Sequence, residues 1–183
     1  PKDDSSVGLV VKLMRGNSSY APALLDLRAA AKIDKRIIVI ETTLPRAQLL
    51  DLIRACDAYI SLHRCEGFGR GMAEAMLLGK PVIATKYSGN LDFCTPKSAL
   101  LVDAELIPVM HDEYEHALGQ CWAQPNQYSA ISALQQAADG WKPDIKSIKE
   151  IEQRYSAKEV GNNYRKRLEV IQQTQRTKSN KSP

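Results

Sequence analysis

Short apolar runs without polar alternation, separated by segments of helical periodicity, predict an α/β fold: a parallel sheet with helices on both faces. Three observations carry that expectation. The stretches 36–40, 58–62 and 81–85 are rich in Ile, Val and Ala and read as buried strands. Between them lie helical patterns such as Leu49, Ile53 and Cys56, spaced i, i+4, i+7. The polar and glycine-bearing residues gather just after strands, where an open parallel sheet binds its ligands.

Residues 7–13 open the pattern as an apolar, β-branched strand, broken by Gly16-Asn17-Ser18-Ser19. Pro22 stands where a first helical turn tolerates it, followed by Leu24, Leu25, Leu27 and Ala31 along one side. After the strand at 36–40, Thr43 and Pro45 start a second helix. The third strand, 58–62, leads to a helix rich in Ala and Met that runs to Leu78 and closes at Gly79. Strands follow at 81–85 and 99–102. Residues 103–126, with their prolines, histidines and acids, read as a long excursion with one short strand at 106–109. Helices are expected at 129–138, 145–154 and 157–172. The polar, Lys- and Ser-rich segment 173–183 is expected to be disordered.

The 183 residues are 44% hydrophobic and 25% charged, which suits one globular domain and excludes collagen-like or disordered chains. The longest aliphatic runs, 37–40 and 99–102, are four residues each, far short of the ~20 that a membrane helix needs. Pro1-Lys2-Asp3-Asp4-Ser5-Ser6 lacks the apolar stretch of a secretory signal, and the chain opens almost directly into a strand without Met, as a piece of a longer protein would. Of the formal charge of +4, a local +5 comes from Arg165 onward, leaving the first 164 residues at −1. Four cysteines, with no CxxC and no zinc-finger spacing, read as buried or neutral thiols of a reducing compartment.

The richest loop is His63-Arg64-Cys65-Glu66-Gly67-Phe68-Gly69-Arg70-Gly71, which enters a helix at about 70–72. Alternate glycines let the backbone approach a ligand, and the helix start offers N–H groups and the positive end of a dipole to a phosphate. Neither GxGxxG nor a P-loop fits: Met72 and Pro81 fall where those motifs need Gly and Ser or Thr. Glu66 and Glu74, eight residues apart, can both face this rim, where paired carboxylate oxygens suit vicinal hydroxyls of a sugar and a ribose. The competing explanation is plainer: a tight turn after a strand, and a Glu that favours the first turn of its helix.

At these residues the chain resembles the retaining, GT-B-type glycosyltransferases of glycosyltransferase family 4. Residues 59–85 carry a Glu-x7-Glu signature followed by Gly79-Lys80-Pro81-Val82-Ile83-Ala84-Thr85, and 87–93, 106–109 and 122–125 resemble one bacterial branch. The resemblance extends over about 8–172 and implies a Rossmann-like, nucleotide-sugar-binding domain over 1–172. This would be the C-terminal half of a two-domain enzyme, without that half's first strand–helix unit and its Arg/Lys pair. It assigns Glu66 to the transferred sugar near the reacting carbon, as the catalytic residue, and Glu74 to the ribose. The backbone of Gly67, Phe68, Gly69, Arg70, Gly71 and Met72 falls to sugar and diphosphate, and Thr42, Thr43 and Leu44 to the base. It further implies hexose transfer with retention to a glycan or lipid-linked acceptor in polysaccharide biosynthesis, no metal or cofactor, and a UDP-, GDP- or ADP-linked sugar as donor. A missing N-terminal domain would bind the acceptor, so that this chain alone transfers nothing. A cytoplasmic location, at the inner face of an anionic membrane, goes with such enzymes.

Several residues keep two readings. Arg70 either replaces missing positive charge or is solvated. Lys12, at a strand's carboxyl end, either reaches a phosphate or snorkels at the surface. His63 is a donor-site residue or a hydrogen-bonded rim histidine. Asn90 reads as an N-cap that also reaches the diphosphate or sugar. Arg165, Lys166 and Arg167 either face another domain or solvent, or attract anionic lipid; with so few aromatics interleaved, nucleic acid is not expected. Rival functions are a non-catalytic nucleotide-sugar-binding or assembly module and another Rossmann-like enzyme. An epimerase would need YxxxK, and Tyr20 and Tyr59 are followed four residues on by Leu24 and His63. His111 and His116 are ill placed to share a metal, and HExxH is absent.

Overall fold

The computed structural model describes residues 6–13, 21–111 and 113–179, which gather into two compact units divided after Leu52. The break expected at 16–19, Tyr20 and the last four residues lie outside the described residues.

In the first unit, β1 (Leu9–Lys12) and β2 (Ile37–Ile40) pair in parallel, Leu9 opposite Ile37 through Lys12 opposite Ile40. Their β-branched residues favour the pleated backbone. Helix α1 (Ala21–Ile33) makes the crossover, and a bidentate pair from Arg28 to Glu41, at 2.7 and 2.9 Å, fastens it to the exit of β2. Asp34 turns the chain into β2: its carboxylate accepts the Arg36 amide at 3.0 Å and the Arg36 guanidinium at 2.6 Å. Helix α2 (Arg46–Ala55) starts after Pro45, whose carbonyl accepts the Leu49 amide at 3.0 Å, and Cys56 falls just beyond its end.

The second unit is built on a parallel sheet of β3 (Tyr59–Ser61), β4 (Val82–Thr85) and β5 (Leu100–Val102), with β4 in the middle. Every residue of β4 is buried, and its period of two divides the core. Val82 and Ala84 join Ile53, Phe93 and the buried face of α3 (Arg70–Leu77), with Ile151 of α5 (Ile145–Arg154) behind. Ile83 joins Leu100, Val102 and the alanines Ala130 and Ala133 of α4 (Gln127–Ala138). A parallel sheet covered by helices on both faces is therefore what the chain forms.

Helix α3 ends as its sequence dictates. Gly79 has φ 73° and donates to Met76 O at 2.9 Å, while the Lys80 amide reaches Ala75 O at 2.9 Å, closing the last turn before Pro81.

Three expectations need correction. The 103–126 excursion contains two strands, β6 (Ala104–Pro108) and β7 (Cys121–Pro125), paired antiparallel as a hairpin beside the parallel sheet. Helix α6 (Ala157–Ser179) does not stop at 172; the polar residues from Gln173 to Ser179 continue it instead of being disordered. The four thiols are not uniformly buried: Cys94 is, Cys56 is half-buried, and Cys65 and Cys121 are exposed. Among the described residues, no helix is long and apolar enough to cross a membrane.

The Asp34–Arg36 turn gives a test in the first unit. Hydrogen bonds from Arg36 hold the Asp34 carboxyl at about 2, against an ordinary 3.8. Because the folded value is the lower one, the turn's contribution to stability is complete above the ordinary value and is lost as pH falls through 2. A carbon-detected titration of Asp34 should give a midpoint near 2 that rises toward the ordinary value in Arg36→Ala. The same midpoint in both proteins would contradict the assignment.

Candidate active site

The loop from β3 to α3 and the loop leaving β4 meet at the carboxyl ends of their strands. Gly69 precedes α3 with φ 92° and ψ 49°, and no side chain caps the helix. No side chain takes the first-turn N–H groups of Arg70 and Gly71, which stand at the positive end of the helix dipole.

The glycines separate by cause. A Cβ on Gly69 would lie 2.4 Å from Met72 Cε in a left-handed backbone, and one on Gly71 would lie 2.4 Å from the Tyr59 hydroxyl. Gly69 is required by its left-handed backbone, since Met72 Cε can move aside, and Gly71 by the Tyr59 ring against it. Gly67 has open space where its Cβ would be, yet its carbonyl is approached so closely by Gly89 that a Cβ there would sit 1.9 Å away. The close approach belongs to two loops of the chain as much as to any ligand.

Glu66 is held by its backbone. Its carbonyl accepts the Ser88 hydroxyl at 2.8 Å and the Gly89 amide at 3.0 Å, and its own amide donates to Ser88 Oγ at 3.4 Å. Glu74, with a side chain only 14% exposed, forms an ion pair with Arg70 one turn back, Nε to carboxylate 3.5 Å. Both carboxylates act on the Tyr59 phenol, whose pKa is pushed up by burial, then by Glu74, then by Glu66.

His63 is a hydrogen-bonded rim residue. Its Nε2 faces Tyr87 O at 3.1 Å and Asn90 Oδ1 at 3.2 Å. Because Asn90 Nδ2 already donates to Thr85 O at 3.0 Å, both neighbours of Nε2 are acceptors, so Nε2 carries the proton. In the neutral ring Nδ1 then accepts from the Ser61 hydroxyl at 3.2 Å. Asn90 does not cap a helix. It lies inside a short 3₁₀ turn, Gly89–Asp92, fully buried, with both ends of its amide engaged within the protein. Beside it, burial pushes the Cys94 thiol up to about 12.

Of the other residues singled out, Arg70 is exposed and pairs with Glu74. Met72, expected to offer its backbone to the donor, is 1% exposed as a whole residue and packs in the core instead. The Phe68 ring packs 5.0 Å from Phe93 and 5.2 Å from Tyr155, with one part open to solvent. Lys12, Thr42 and Thr43 belong to the first unit: Lys12 Nζ donates to Leu13 O, and both threonines are exposed beyond β2.

Three residues of the rim escape sequence reasoning. Ser88 and Tyr59 are two, and Arg64 is the third. The Arg64 guanidinium lies 4.7 Å over the Trp122 ring, donates to Gln124 at 2.9 Å and pairs with Glu113 at 3.4 Å, while its carbonyl accepts the Ala123 amide at 2.8 Å. It fastens the β6–β7 hairpin beside Glu66. His111 and His116 line a separate cavity of about 590 Å³ with Tyr114 and Glu115. Among the described residues no cluster of three His, Cys, Asp or Glu suits a metal ion.

An uncapped helix start, with Glu74 on its first turns and Glu66 on the loop before it, stands at the carboxyl ends of parallel strands, a chemistry suited to phosphate and hydroxyl groups. Residues 10–120 match the model of the family described as glycosyl transferases group 1, and the chain belongs to that family. Among solved structures it is similar to Anabaena Alr3699/HepE in complex with UDP (TM-score 0.61, 18% identity, 91% of this chain and 42% of that one). The complexes of the same protein with UDP-glucose (TM-score 0.61, 17% identity, 91% and 42%) and with UDP and glucose (TM-score 0.61, 18% identity, 92% and 42%) are similar as well. At such identities the likeness establishes a shared fold. The chain spans 42% of the length of these proteins. Comparison with curated proteins gives no match.

The contact between the two loops predicts a contrast. Gly89→Ala must push the Gly67 carbonyl away and should destabilise the chain by about 1–3 kcal/mol in urea unfolding, with shifted amide resonances at 66–69. Gly67→Ala, with open space at its Cβ, should stay within about 0.5 kcal/mol of the parent. Equal effects would contradict the contact.

Proposed function

We propose that the chain is the donor-binding part of a retaining glycosyltransferase of family 4, one that transfers a hexose from a nucleotide diphosphate sugar to a glycan or lipid-linked acceptor. The observation that carries this is the uncapped start of α3 at the carboxyl ends of parallel strands, with Glu74 on its first turns and Glu66 on the loop before it. Each part then has a task. The first-turn amides of α3, with exposed Arg70 beside them, hold the diphosphate and stabilise the charge that grows on it as the sugar leaves, work that calls for no metal. Glu74 accepts from the ribose hydroxyls once Arg70 has moved to the diphosphate. Glu66 holds the sugar hydroxyls next to the reacting carbon.

Uridine is the first base to test, because Anabaena Alr3699/HepE has the same fold and was crystallised with UDP and UDP-glucose. The 42% coverage of that protein supports a second domain that brings the acceptor, without which this chain transfers nothing. Work at the cytoplasmic face of an anionic membrane, with Arg165, Lys166 and Arg167 of α6 toward the lipid, fits a lipid-linked acceptor.

Calorimetric titration with UDP-, GDP- and ADP-glucose tests the reading. Saturable binding of one of them is expected, weakened about tenfold or more in Glu74→Ala, since a hydrogen bond to a charged group is worth about 1.5–3 kcal/mol. No saturable binding of any, or binding untouched by Glu74→Ala, would overturn it.

A further inference from the structure

Ser88 has an unusual backbone for a residue with a side chain: φ 78° and ψ −157°, in the region that favours glycine. A glycine would relax that strain, so the serine must contribute something a glycine lacks. What it contributes is a hydroxyl placed against a single peptide unit on either side of one residue. Ser88 Oγ donates to the Glu66 carbonyl at 2.8 Å and receives the Glu66 amide at 3.4 Å. The next amide along, Gly89 N–H, adds a second bond to the same carbonyl at 3.0 Å. Both main-chain polar groups of Glu66 are thus engaged by Ser88, and the direction in which its side chain leaves the backbone is set from the β4 side.

The Ser88 loop can act as a reference because it is itself held at both ends. On one side the Tyr87 carbonyl faces the protonated Nε2 of His63 at 3.1 Å. On the other, Asn90 is fully buried and donates to the carbonyl of Thr85 at 3.0 Å. Glu66, by contrast, is half-buried on a loop, between a glycine and an exposed cysteine. We propose that Ser88 is a positioning residue: its hydroxyl aims the Glu66 carboxylate at the sugar of the donor, and so determines how well the chain distinguishes a nucleotide sugar from the bare nucleotide diphosphate. This rests on the role given to Glu66 above.

The test compares Kd for UDP and for UDP-glucose in the parent chain, Ser88→Ala, Ser88→Gly, Glu66→Gln and the double variant Ser88→Ala/Glu66→Gln. The parent should bind UDP-glucose more tightly than UDP. Ser88→Ala should lose about tenfold in UDP-glucose affinity, the scale of one or two hydrogen bonds, while UDP binding is unchanged. Ser88→Gly relieves the strain and is expected to fold at least as well, yet should show the same loss, which separates the hydroxyl from the backbone. In the Glu66→Gln background, Ser88→Ala should change the ratio no further. Equal weakening of both ligands, no change in either, or an additive double variant would overturn the positioning role. If the parent binds neither ligand, or if Glu66→Gln leaves the ratio unchanged, the role of Glu66 falls first and that of Ser88 falls with it.

Discussion

Everything proposed for the rim depends on a shared acceptor, the carbonyl of Glu66, which takes a hydroxyl and an amide from the loop that leaves β4. That contact joins two loops from adjacent parallel strands, which His63 also links through Tyr87 O and Asn90 Oδ1. There the Gly89 backbone comes so near the Gly67 carbonyl that only hydrogen fits between them. The loop that carries Glu66 then inherits the rigidity of the best-buried strand in the sheet.

That rigidity originates in β4, whose four residues are enclosed from both sides. Small side chains make the enclosure possible. Ala84 and Ala75 lie on one side of the sheet and Ala130 and Ala133 on the other, so that helix backbones come near to the strands. The same economy of space recurs at the start of α3, where Gly71 leaves room for the Tyr59 hydroxyl and Gly69 for Met72. The plain explanation of a tight turn covers Gly69, by its left-handed backbone, and Gly71, by the Tyr59 ring, while the helix start beside them remains uncapped.

The parts of this arrangement legible in the sequence are those fixed by local pattern. Buried strands announce themselves as apolar runs, Gly79 marks its helix end, and Glu66 and Glu74 fall on the loop before α3 and on its first turns. What escaped was set by distant partners or by composition that points two ways. The strand Cys121–Pro125 carries no β-branched residue and exists because Ala104–Pro108 pairs with it. Arg64 looks like any loop arginine until Trp122 and Gln124, about 60 residues on, close around it. Asn90 has the side chain of a cap, but burial beside His63 gives its amide other work. In the last helix, Gln, Lys and Arg are good helix formers as well as polar, and reading them only as polar shortened it.

The most direct measurement is a crystal structure of the chain grown with UDP. If the reading of the rim is correct, the diphosphate will lie on the first-turn amides of α3, with the ribose hydroxyls at Glu74 and the Arg70 side chain turned away from that carboxylate. A nucleotide bound instead at the cavity lined by His111 and His116, or anywhere that leaves the Arg70–Glu74 pair intact, would contradict it.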